Sequence, residues 1–459
     1  MAIIWTDRWT RSLAQMNDRP IGIDLFAGAG GMSLGFEQAG FDIVAAVEID
    51  PIHAATYHFN FPDTAMLTRS VVGLKGDDLR SAAGIGKRSV DVVFGGPPCQ
   101  GFSLIGQRML EDPRNHLVME FVRIVSELKP KTFVFENVKG LTVGKHRLFL
   151  DALIEAFDDA GYTVRTPWRV LNAMHYGVPQ DRERLFLLGA RKGLRVPTYP
   201  DATTSPDRDL FSGNGRALTP TCADALSDLP DAESFVELMT SDSVKVPRWK
   251  ANTAFARECR CESQEAWHFG YRRMWDPNLL TSSMRTVHTE ISRRRFASTR
   301  PGEVEPISRF FKLDPNGVCN TLRAGTDSAR GAFTSPRPIH FAYPRCITVR
   351  EMARLHGYPD WFRFHVTKWH GARQVGNSVP PPLARAIASA VIDALGRVPT
   401  RPVKRVELGR PDLLSMDMGE AAEYWKVPVP IGGRDRKNGL RKRKQAEIEE
   451  AAFTQRRRI

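Results

Sequence analysis

Short apolar runs alternate with helical stretches through the first 190 or so residues, and this alternation leaves few folds open. The runs are IGIDLF (21–26), FDIVAAVEID (41–50), VDVVFGG (90–96), TFVFENV (132–138) and LFLLGAR (185–191). Most are apolar throughout, not at every second residue, as strands covered on both faces are. The pattern predicts an α/β fold: a Rossmann-like mixed, mostly parallel sheet with helices on both faces. Past about residue 195 the alternation stops. TYPDATTSPDRDLFSGNG (198–215) is rich in Pro, Ser, Thr and Asp, and irregular sequence continues to about residue 340, which reads as a second, smaller domain. Helical pattern returns with TVREMARLHGY (348–358) and then PPPLARAIASAVIDAL (380–395). The prolines opening the latter stand where a missing N–H costs nothing.

The first strand meets a glycine cluster, Gly28, Gly30 and Gly31, and a helix follows. Such a turn lets backbone approach a ligand and aims a helix N-terminus at its negative group. Glu48 ends the next strand, where a carboxylate can accept from ribose hydroxyls. The glycines do not complete G-x-G-x-x-G, so no pyrophosphate is required; an adenosine cofactor bearing an amino-acid carboxylate fits the same strand ends.

Composition narrows the classes. Hydrophobic content of 42% and charged content of 25% suit an ordinary globular protein. No apolar run is long enough to span a bilayer, and Asp7 and Arg8 interrupt the N-terminus before a secretory signal could form. Six cysteines in 459 residues make no disulfide framework. Cys259 and Cys261 lack a second ligand pair at metal spacing, so no metal is expected. These features suit reduced thiols and the cytoplasm. Net charge is +13, with basic residues densest in SRRRFASTR (292–300) and RDRKNGLRKRK (434–444). Such runs are either solvated surface or a footprint for a polyanion, and charge alone does not separate the two.

The cysteine in FGGPPCQGFS (94–103) is the sharpest chemical feature. Cys99 follows a strand end, the ligand edge of an open α/β sheet. Pro97 and Pro98 stiffen the approach, and glycines follow. Glu136 ends a neighbouring strand. A thiol and an acid at adjacent strand ends suit covalent catalysis with proton transfer.

These residues resemble the DNA cytosine-5 methyltransferases, in the bacterial restriction-modification form. DLFAGAGG, EID, GGPPCQGFS, DPRNHL, ENV, QDRERLFLLG, TVREMARLHGYPD and RQVGNSVPPPLA occur in that family's order across residues 20–395. The resemblance implies S-adenosylmethionine as cofactor and double-stranded DNA as partner. It implies action as a monomer, with a cognate endonuclease encoded separately, in the bacterial cytoplasm on nucleoid DNA.

By the same resemblance Cys99 attacks C6 of cytosine and Glu136 contacts N3 and the exocyclic amine. Of Arg182 and Arg184, one holds O2 and the other orients the site. Phe26 packs on the adenine, Gly28, Gly30 and Gly31 border the cofactor, Glu48 holds its ribose, and Asn377 lies at the cofactor and catalytic-loop junction. An acid near the adenine amine has three candidates, Ser70 standing in its place or Asp77 or Asp78. Gln100, Ser103 and, in NTLRAGT (320–326), Thr321 are candidates for DNA recognition. The implied domains are 1–195 (catalytic and cofactor-binding), 196–345 (target recognition), 346–400 (catalytic, returning) and 401–459 (basic extension). Rival readings are an RNA cytosine-5 methyltransferase on the same fold, a non-catalytic DNA-binding relative, and a nicotinamide-dependent dehydrogenase, which leaves PPCQGFS and ENV unexplained.

Overall fold

The computed structural model describes residues 19–98, 116–144, 146–206, 215–247, 249, 251–325 and 336–429. Cys99, Gln100, Ser103 and the basic run 434–444 lie outside the described residues.

Among the described residues eight strands make the central sheet: β1 (Ile21–Leu25), β2 (Asp42–Glu48), β3 (Ala65–Thr68), β4 (Val92–Gly95), β5 (Thr132–Val138), β6 (Tyr162–Val164), β7 (Arg169–Asn172) and β8 (Glu183–Arg191). Their order is β3-β2-β1-β4-β5-β8-β6, with β7 also on β8. β1 to β5 run parallel, and β8 is antiparallel to β5, β6 and β7. The expected mixed, mostly parallel sheet is therefore present. The run LFLLGAR forms the antiparallel strand.

Alternate residues of each strand enter different cores, which is the period-two geometry of a sheet buried on both faces. Ile23, Leu25, Val93, Phe133, Phe135, Leu185 and Leu187 join one core. Helices α1 (Gly31–Ala39), α2 (Pro51–Asn60), α3 (Gly76–Ala82), α4 (His116–Leu128) and α5 (His146–Asp159) fall among the strands. Of these, α3, α4 and α5 cover that first face through Leu79, Phe121, Ile124, Leu150 and Phe157. On the other face Ile43, Val92, Phe94, Val134, Phe186 and Leu188 meet Phe36 of α1 and Leu383, Ile387 and Val391 of the later helix Pro381–Ala394. Phe36 stacks on Phe94 with ring centroids 3.8 Å apart.

Helix Pro381–Ala394 thus returns from far along the chain to pack on α1. Two glycines set the approach. A Cβ on Gly35 would overlap the Ala384 Cβ and lie 2.6 Å from Arg385 N, and one on Gly31 would lie 2.7 Å from the Val379 carbonyl.

Between residues 204 and 298 the chain makes two-residue and three-residue strands and short helices, ending in Glu290–Ser298. Its apolar side chains, among them Leu226, Leu238 and Leu280, share one core with Leu313 and Leu322 further along and with Met352, Leu355, Tyr358 and Phe362. Arg354 is fully buried in that core and binds Asp360 through Nε and Nη2 at 2.6 and 2.7 Å and Asp228 at 3.1 and 3.2 Å. A guanidinium so enclosed needs both carboxylates, since an unpaired charge there would be costly. Among the described residues no helix is long and apolar enough to cross a membrane.

Candidate functional site

The carboxyl ends of β1, β2, β4 and β5 lie along one edge, where an open α/β sheet binds ligands. After β1 the backbone turns through positive φ at Phe26 (65°), Gly28 (56°) and Gly30 (100°). Gly30 caps α1, and a Cβ there would lie 2.5 Å from the Phe61 ring. A Cβ at Gly28 would meet nothing within 4 Å, so this turn borders open space.

Glu48, at the end of β2, locks the turn from beside it. Its Oε2 accepts from Gly28 N at 2.8 Å and its Oε1 from Asp50 N at 2.9 Å. Burial pushes the Glu48 carboxyl above its ordinary value, against the pull of His53 and the Asp50 N–H. Each oxygen keeps a lone pair for a further donor. Ile49 beside it is 61% exposed, an apolar side chain at a polar edge that the sequence reading passed over. A half-buried Phe26, an acceptor at Glu48, an apolar Ile49, the open side of Gly28 and the N-terminus of α1 together fit an adenosine bearing a carboxylate.

The three candidates near an adenine amine stand apart. Ser70 lies two residues past β3, and its Oγ accepts from Val72 N at 3.1 Å. Asp77 and Asp78 are exposed in the first turn of α3, where Asp78 Oδ2 accepts from Lys75 N at 3.1 Å.

At the neighbouring strand ends the chain is described through Pro98, next to Cys99. Glu136 projects over Gly96, where a Cβ would overlap its Oε2. Its Oε1 is 3.0 Å from Arg184 Nε, with both side chains mostly buried. Burial raises the Glu136 carboxyl, while Arg184 and Arg182 oppose the rise. Asn137 Nδ2 donates to the Pro97 carbonyl at 3.1 Å, which ties the diproline to β5. Gly96 and Asn137 are functional neighbours that the sequence reading missed; their signal was their place within GGPP and ENV.

Arg182 and Arg184 are separated by environment. Arg184 faces Glu136. Arg182 precedes β8, is 1% exposed, and donates to the carbonyls of Leu322, Gly376 and Ser378 at 3.0, 2.8 and 2.8 Å. It thereby joins the sheet to the NTLRAG segment and to the end of helix Lys368–Asn377. Gly376 permits this approach, since a Cβ there would lie 2.5 Å from Ala324 N. Asn377, the last residue of that helix, is exposed.

Gln180, also missed, extends the junction. Its Oε1 accepts from Leu322 N at 3.1 Å, and its Nε2 donates to the Leu355 carbonyl at 3.2 Å and lies 2.9 Å from His356 Nδ1. Thr321 Oγ1 donates to the Asp181 carbonyl at 2.6 Å, which leaves that hydroxyl as an acceptor toward any further partner. Among the described residues no group of three or more His, Cys, Asp or Glu is arranged to hold a metal ion.

Residues 22–393 match the family model of the C-5 cytosine-specific DNA methylases. The chain is 61% identical over 416 residues to the Type II methyltransferase M.XorII of Xanthomonas oryzae pv. oryzae, covering 91% of this chain and 95% of that protein. It is 36% identical to the Type II methyltransferase M1.HphI of Haemophilus parahaemolyticus, covering 81% and 86% respectively. Among solved structures, a prophage-encoded E. coli protein assigned as a DNA modification methyltransferase is 33% identical. It superposes with a TM-score of 0.66 over 82% of this chain and all of that one.

Proposed function

Since the chain belongs to the C-5 cytosine-specific DNA methylase family and is a DNA cytosine-5 methyltransferase of the Type II kind, we propose that it uses S-adenosylmethionine and works through an adduct between Cys99 and cytosine C6. The observation that carries this reading is the Glu136 carboxyl, raised by burial, held by Arg184 and poised over Gly96 one peptide away from the diproline that leads to Cys99.

Cytosine C5 is a poor nucleophile while the ring is aromatic. Addition of a Cys99 thiolate at C6 makes C5 enamine-like, provided that N3 receives a proton or a strong hydrogen bond. Glu136, with its proton retained more readily than an ordinary carboxyl, is suited to supply it. Arg184 orients that carboxyl and has further N–H groups for the cytosine O2. Arg182 acts indirectly by holding the junction of the site. Loss of the C5 proton to water, release of Cys99 as thiolate and return of the N3 proton to Glu136 restore the ring. A free thiol with pKa about 8.5 is mostly protonated at neutral pH, and the positive charge of Arg184 at the adjoining strand end would favour the reactive thiolate.

When bound at the glycine turn, S-adenosylmethionine supplies an electrophilic methyl group. Glu48 would hold its ribose, Phe26 and Ile49 would flank its adenine, and Gly28, Gly30 and Gly31 would border its amino-acid part. Because C6 is stacked inside a duplex, the base must be extruded at a cost of a few kcal/mol. The enzyme acts as a monomer on double-stranded DNA in the bacterial cytoplasm, beside an endonuclease encoded separately. Residues 196–345 carry target recognition, with Gln100, Ser103 and Thr321 as contributors.

The test is transfer of labelled methyl from S-adenosylmethionine to duplex DNA, single-stranded DNA and RNA, followed by digestion to nucleosides. Label in 5-methyldeoxycytidine from duplex is expected. Label on an exocyclic nitrogen, or in RNA alone, would overturn the reading.

A further inference from the structure

The family match ends at residue 393, yet the chain remains described to residue 429, and this last part lies against the helix that follows Glu48. Residues Arg405–Glu407 pair in parallel with Arg272–Met274. The chain then crosses α2. Gly409 N donates to the Phe59 carbonyl at 2.8 Å, and a Cβ on Gly409 would lie 2.8 Å from Phe59 Cα. Leu413 and Leu414 bury against Ala55 and Phe59. Helix Met418–Trp425 follows, and the Trp425 ring meets His58 edge-on with centroids 5.6 Å apart.

The end of this arm reaches the cofactor acid through a short series of bonds. Trp425 Nε1 donates to the Pro51 carbonyl at 3.2 Å. Pro51 is the first residue of α2, and Asp50 caps that helix by accepting from Ile52 N and His53 N at 2.9 and 3.2 Å. Asp50 N in turn donates to Glu48 Oε1, whose partner oxygen holds Gly28 N. The body of α2 is anchored separately, through Tyr57 in the core shared with Phe61 and Phe362. Loss of the Trp425 contact therefore loosens the first turn of α2, beside Glu48, without releasing the helix.

We propose that residues 405–425 are a positioning arm for the cofactor site: Trp425 fixes the first turn of α2 and so holds Glu48 against Gly28. The proposal rests on the reading of Glu48 as the ribose-binding acid.

The test uses the full chain and three variants, Trp425→Ala, Trp425→Phe and, as a control, Lys404→Ala, which breaks only an exposed ion pair with Asp63. Calorimetric binding of S-adenosylhomocysteine is measured with thermal melting, and KM for S-adenosylmethionine and for DNA with kcat. Loss of one hydrogen bond of ordinary net strength corresponds to about fivefold weaker binding. Trp425→Ala is expected to weaken S-adenosylhomocysteine and raise the cofactor KM by about that factor, leaving kcat and the DNA KM unchanged. Trp425→Phe, which keeps a ring but lacks the N–H, is expected to show the same change with less loss of melting temperature. Should Trp425→Ala fail to fold, the Phe variant alone decides. Affinities equal to wild type, or equal losses for cofactor and DNA, would overturn the arm's role. Failure of the wild-type chain to bind S-adenosylhomocysteine would instead overturn the reading of the cofactor site.

Discussion

Glu136 is held between two opposing influences: burial favours its protonated form, and Arg184 favours its carboxylate. That balance is what a group alternating between donor and acceptor toward a base needs. Glu136→Gln is expected to lower kcat by roughly 10²- to 10⁴-fold, the range of general acid–base contributions, with duplex binding retained in a mobility-shift assay. Gly96→Ala, whose new methyl would displace the carboxylate, is expected to lower kcat in the same assay with a smaller effect. A second buried acid offers a test of folding. Asp24, 1% exposed, accepts from Ser33 Oγ at 2.6 Å, and burial raises it from 3.8 to about 8. A carboxyl raised on folding binds its proton more tightly in the native state, so stability falls as pH climbs from about 4 to about 8. Asp24→Asn keeps an acceptor for Ser33 but cannot ionise. Its melting temperature relative to wild type is expected to rise steadily across that interval; a difference that does not vary with pH would refute this. Glu136 and the glycine turn were legible as residue types at strand ends, whereas Cys99 lies outside the described residues. The division between Arg182 and Arg184 was not, because the partners of Arg182 lie at 322, 376 and 378, far along the chain.

The helices α1 and Pro381–Ala394 meet through glycine where a larger residue would separate them. Gly35→Leu forces side-chain atoms into the Ala384 Cβ and the Arg385 and Pro381 backbone and is expected to cost about 1–3 kcal/mol, as overpacking does. Urea unfolding with unchanged m-value would measure it. At this scale the sequence showed the strand, turn and helix around Gly28 and the proline start of the returning helix. It did not show that LFLLGAR runs antiparallel, since a strand apolar on both faces looks the same in either direction. Nor did it show the arm at 405–425. Its strand has three residues, too few for a period, and its contacts with α2 join positions more than 300 residues apart.

Across the whole molecule, the sheet supplies the ligand edge while Arg182 and Gln180 bring the NTLRAG segment and the returning helices to it. The recognition sequence was illegible in the chain because, under the proposed reading, it depends on side chains between 196 and 345, where the sequence carries no periodicity that fixes a backbone. The basic run 434–444 belongs to this scale through charge alone. Deleting residues 430–459 is expected to weaken duplex binding and to flatten the dependence of affinity on salt, without changing which sequence is methylated. A changed sequence would contradict that role. The central claim is methylation of cytosine C5 through a covalent adduct of Cys99 at C6, and base-resolution mapping of 5-methylcytosine in a plasmid expressing the protein tests it most directly. Methylation in one recurring sequence context, lost entirely in Cys99→Ser, is the expected result; no 5-methylcytosine with wild type, or an unchanged map with Cys99→Ser, would contradict it.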